Sequence, residues 1–101
     1  MYFNIDEVNF LQTGHTITIM IAGLLPSPAF SITGRSASLE GLGGSSVLIN
    51  ITVTEKPGIW AQVLKKVSDQ IILNDATNAK TLEYRVMVNG QLARSGVAAV
   101  N

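Results

Sequence analysis

A chain of 101 residues, 47% hydrophobic and 14% charged, has the size of a single domain (1–101) with a small core and modest stability. Seven basic residues cancel seven acidic ones and no run of either sign occurs, which argues against a nucleic-acid partner. Cysteine is absent, so disulfides and thiolate metal sites are excluded, and no apolar run approaches a membrane span.

Average domains carry about 25% charged residues. The shortfall predicts a neutral surface rich in Ser, Thr, Asn and Gly, or a surface partly covered by a partner. The segment Met1 to Glu7 lacks a basic region followed by a long apolar stretch. It does not read as a signal peptide, so the default location is cytoplasmic.

In chain order, Phe3 and Ile5 alternate with Asn4 and Asp6, predicting a strand over residues 2–8. Gln12-Thr13-Gly14 signals a turn. Thr16 to Ala22 is a strand with Ile17, Ile19 and Ile21 on one face. Leu25-Pro26-Ser27-Pro28 is neither helix interior nor central strand, because two prolines remove donors and fix φ. Phe30–Thr33 and Ser36–Leu39 read as a short hairpin around Gly34, and Gly41 to Ser46 as a flexible loop.

Val47, Ile49, Ile51 and Val53 then mark a half-buried strand. After Lys56-Pro57-Gly58 the period changes. Ile59, Trp60, Val63, Leu64, Val67 and Ile71 fall at helical spacing, predicting an amphipathic helix over about 57–71 with Gln62, Lys66 and Asp69 exposed. Trp60 then belongs to the core stripe. Asn74 to Lys80 is turn-like. Asn89-Gly90 is the favoured dipeptide of a two-residue type I′ turn. It predicts a C-terminal hairpin with Val88 opposite Gln91, Val86 opposite Ala93 and Arg85 opposite Arg94. The order gives an α+β fold: an antiparallel sheet or sandwich with one helix. The alternative is an all-β, Ig-like sandwich.

Chemistry-bearing patterns are sparse. His15 has no nucleophile or ligand set in its local sequence. The glycine loop is followed by a strand, not the helix N-terminus that cradles phosphate. Asn50-Ile51-Thr52 matches a glycosylation sequon inside a strand. No catalytic, cofactor or metal residue is assigned, and no enzyme is expected. Arg85 and Arg94, opposed in the predicted hairpin, would repel unless Glu83 or an acidic partner lies between them.

Gly41-Leu42-Gly43-Gly44, downstream of Leu25-Pro26-Ser27-Pro28-Ala29-Phe30, is similar in order to the chagasin-type inhibitors of cysteine proteases. Those are Ig-like sandwiches that plug a protease cleft with three loops. The Gly-x-Gly-Gly element is present. The Asn-Pro-Thr-Thr-Gly loop and the Arg-Pro-aromatic loop are not. Separately, a β-sandwich strand running through a proline into an amphipathic helix resembles the subunit plan of phage tail tubes.

The resulting expectation is a non-enzymatic structural or assembly subunit, a homo-oligomer or partner of another protein, with a virion as one setting. The alternative is a protease inhibitor acting through Pro26, Pro28 and Phe30 and through Gly43 and Gly44. Strand Val97 to Val100 or the N-terminal strand from Tyr2 to Val8 is the expected subunit contact, because neither is well guarded by charge.

Overall fold

The structure, a computed structural model, describes residues 3–101. Strands β1 (Asn4–Thr13), β2 (Thr16–Leu25) and β5 (Lys65–Leu73) form a three-stranded sheet in the order β1-β2-β5. Strands β3 (Phe30–Glu40), β4 (Ser46–Glu55), β6 (Thr81–Val88) and β7 (Gln91–Ala99) form a four-stranded sheet in the order β3-β4-β6-β7. Among the described residues the helical content is one 3-10 turn, Leu42–Gly44.

The two-residue period explains the sandwich. Ile17, Ile19 and Ile21 of β2 point inward, as do Val47, Ile49, Ile51 and Val53 of β4 and Leu82, Tyr84, Val86 and Val88 of β6. These side chains join Phe3, Phe10 and Leu25 in a single core between the sheets. Each large apolar side chain buried there contributes roughly 1.5–3 kcal/mol relative to exposure. Phe10 and Tyr84 meet edge to face with centroids 6.1 Å apart.

The predicted helix over 57–71 is not formed. Residues 56–64 are an irregular, exposed connection, and Lys65–Leu73 is strand β5. Two physical factors favour this. Glycine is a poor helix former, and Gly58 takes up φ 124°, a turn conformation that residues with a Cβ rarely adopt. Strand β2 offers a hydrogen-bonding edge that β5 occupies along its whole length, from Ile17–Leu73 to Leu25–Lys65. Val67, Ile71 and Leu73 then face inward at period two, while Ile59, Trp60, Val63 and Leu64 stay outside.

The two predicted segments around Gly34 are one strand. A bulge between Ile32 and Gly34 absorbs Thr33 and keeps the pairing with β4 continuous. The C-terminal hairpin forms as expected at Asn89 and Gly90, with φ 51° and 80°. Its register holds for Val88–Gln91 and Met87–Leu92. It then slips by one residue at a bulge, so that Val86 pairs with Arg94 and Arg85 with Ser95. Strand β4 lies parallel to β6, because the chain crosses to the other sheet as β5 between them. An Ig domain has two antiparallel sheets, so this pairing departs from the Ig arrangement.

Both open sides of the sandwich are tied by polar contacts. On one side Phe10 and Val100 form a parallel bridge, Gln12 N–H donates to Asn101 O (2.9 Å), and Asn101 N–H donates to Phe10 O (3.1 Å). On the other, Arg35 of β3 pairs with Asp69 of β5, and Lys65 Nζ donates to the Phe30 carbonyl at 3.4 Å. Val100 is therefore engaged by its own chain. Of the N-terminal strand proposed for subunit contact, Tyr2 lies outside the described residues.

Candidate interaction site

The most unusual surface is the connection between β4 and β5. Residues 56–64 are exposed throughout. Ile59 is fully exposed, Leu64 is 68% exposed and Val63 56%. Ile59, Val63 and Leu64 take no part in the core cluster, and contiguous exposed apolar side chains mark interaction surfaces. The loop nevertheless has a shape. Pro57-Gly58 turns the chain, and the Trp60 indole N–H donates to the Lys56 carbonyl (3.1 Å) and the Pro57 carbonyl (3.4 Å). A Cβ on Gly58 would lie 3.5 Å from that indole nitrogen, which is ordinary contact, so the demand for glycine comes from φ alone. Lys56 stands at the entry of the loop and Lys65 at its exit.

A second surface is the outer face of the three-stranded sheet. Leu11, Thr18 and Ile72 form one cross-strand row, and Asn9, Met20 and Gln70 the next. Leu11, Met20 and Ile72 are exposed. Beside them an open trough of about 550 Å³ is lined by Glu7, Asn9, Met20, Ala22, Ser68 and Gln70. A smaller hollow over Asp6, Glu7 and Lys66 continues it. The ion pairs among the described residues are Arg35–Asp69 and Arg85–Glu40. Neither Asp6 nor Glu7 has such a partner.

The residues singled out in the sequence scatter. Arg94 does not face Arg85. Its Nε donates to the Tyr84 hydroxyl (3.1 Å), and its Nη1 donates to the carbonyls of Ile5 (2.8 Å) and Asp6 (2.9 Å). Arg94 thus closes the β1–β7 side of the sandwich. Arg85 is exposed on the four-stranded sheet and pairs with Glu40 at 3.1 Å, not with Glu83. It lines a second open trough with Glu40, Glu83, Ser95 and Val97.

Pro26 and Phe30 are half-buried and Pro28 is exposed. Ser27 between the prolines is buried, and its hydroxyl accepts the Ala29 N–H at 3.2 Å. Gly43 and Gly44 lie in the 3-10 turn, where their carbonyls accept from the Thr77 hydroxyl at 3.2 and 2.7 Å. The two loops stand at opposite ends of β3, since Phe30 pairs with Glu55 and Glu40 with Ser46. At about 3.3 Å per residue that separates them by roughly 30 Å, so they do not form one contiguous wedge.

His15 is exposed in the β1–β2 turn. Among the described residues no group of three His, Cys, Asp or Glu could hold a metal ion, and no helix is long and apolar enough to cross a membrane. In sequence the apolar loop is masked, because its residues also fit a helical stripe. The signal for it is the alternation of Val67, Ile71 and Leu73 downstream, which marks a strand beginning near Lys65.

No protein-family model, curated protein or solved structure matches the chain.

Proposed function

We propose that this chain is a non-enzymatic structural subunit that associates with other copies of itself. The observation that carries this reading is the loop 56–64, which holds Ile59, Val63 and Leu64 in solvent while its turn and the Trp60 indole bond hold its shape. Exposed apolar surface of this kind marks an interaction site. Leu11, Met20 and Ile72, exposed on the outer face of the three-stranded sheet, and the low charge of the whole chain support the same reading.

Sedimentation velocity over a concentration series tests it. A weight-average sedimentation coefficient that rises with concentration, or a stable oligomer at all concentrations, is expected. A monomer that persists to high micromolar concentration contradicts it.

A further inference from the structure

We propose that the loop 56–64 of one copy seats in the trough on the outer face of the β1-β2-β5 sheet of a second copy, head to tail, an inference that rests on the self-association reading. The two surfaces complement one another in three respects. The loop presents Ile59, Val63 and Leu64 to solvent, and the open trough has Met20 and Ala22 among its lining. Lys56 flanks the loop, and the carboxylate of Glu7 lines the trough without an ion-pair partner among the described residues, while Asp6 and Lys66 lie in the adjoining hollow. The Gly58 turn and the Trp60 indole bonds to the Lys56 and Pro57 carbonyls hold the entry half of the loop, which lowers the ordering cost of association there.

The two patches are different parts of the surface. The loop leads into the first residue of β5, Lys65, and the trough lies further along that strand at Ser68 and Gln70. A contact between unlike patches is heterologous. It leaves a free loop at one end and a free trough at the other, so it grows into a closed ring or a filament and not an isolated two-fold dimer. Seating the loop also covers Met20 and draws Lys56 toward Glu7.

The test uses two variants of the full chain. Ile59→Ser/Leu64→Ser disables the loop but leaves Trp60 and its bonds in place. Met20→Lys disables the trough at an exposed strand position. Each variant alone is expected to self-associate about tenfold or more weakly than wild type, as for loss of a central interface residue, with its circular dichroism unchanged. Mixed, they are expected to form a one-to-one heterodimer, because one intact loop then meets one intact trough.

Glu7→Lys supplies a second trough variant should Met20→Lys perturb the sheet. Wild type that oligomerises while both trough variants oligomerise equally well overturns the head-to-tail contact and leaves self-association standing. Loss of assembly in the loop variant with no rescue on mixing also overturns it, in favour of loops meeting loops. Wild type that stays monomeric overturns both proposals. If that monomer binds phosphatidylcholine/phosphatidylserine vesicles through Ile59 and Leu64, the loop is a membrane contact instead.

Discussion

Two residues show how much of this sandwich depends on single positions. Asn89 adopts φ 51° in the β6–β7 turn, and its side chain also extends the β4–β6 pairing. Its Oδ1 accepts the Val53 N–H (2.9 Å) and its Nδ2 donates to the Val53 carbonyl (3.0 Å). Asn89→Gly keeps the turn but strands two backbone groups, so it should cost about 1–3 kcal/mol by urea denaturation. A loss near zero shows that water replaces the amide. Gly96 is required for a different reason. A Cβ there would lie 2.8 Å from the Tyr84 hydroxyl oxygen and 3.0 Å from the ring carbon bearing it. Gly96→Val should therefore destabilise by about 1–3 kcal/mol through overpacking. Tyr84 is buried against Phe10 and bonded to Arg94, so it has little freedom to retreat.

At the scale of elements, the decisive feature is that residues 65–73 are a strand. Ile71→Ala should cost about 2–5 kcal/mol, because Ile71 is 5% exposed in the core. Leu64→Ala, measured in dilute solution, should change stability by no more than about 0.5 kcal/mol. A loss at Leu64 as large as that at Ile71 would restore the amphipathic helix, whose stripe holds both residues. Where strands alternate cleanly, as β2 and β4 do, the sequence alone locates them, because the period is a local property. Strand β5 is harder to see. Its pairing partner is distant in sequence, and its inward position 69 is an aspartate. The structure explains that residue by placing its carboxylate at the β3–β5 seam, against Arg35. The hairpin turn was legible in Asn89-Gly90, but the bulge at Ala93 was not. The one-residue slip it introduces removes the predicted opposition of Arg85 and Arg94. A one-residue slip is enough to send a side chain to the other face.

For the whole molecule, the open sides of the two sheets are guarded by Arg94, by the Val100–Asn101 segment and by the Arg35–Asp69 pair. Such devices discourage strand-to-strand aggregation. They leave the loop 56–64 as the outstanding apolar feature, so self-association is expected through side chains and not through edge pairing. Single Trp60 lies in that loop and is the only tryptophan in the chain, which makes it a direct reporter. The most direct measurement is Trp60 emission and acrylamide quenching across a dilution series. The account predicts red-shifted, readily quenched emission in the dilute monomer. Emission should shift to the blue, with protection from quencher, as concentration rises. Blue-shifted, protected emission at every dilution would contradict the exposed loop, and red-shifted, quenchable emission at every concentration would contradict its burial in an assembly.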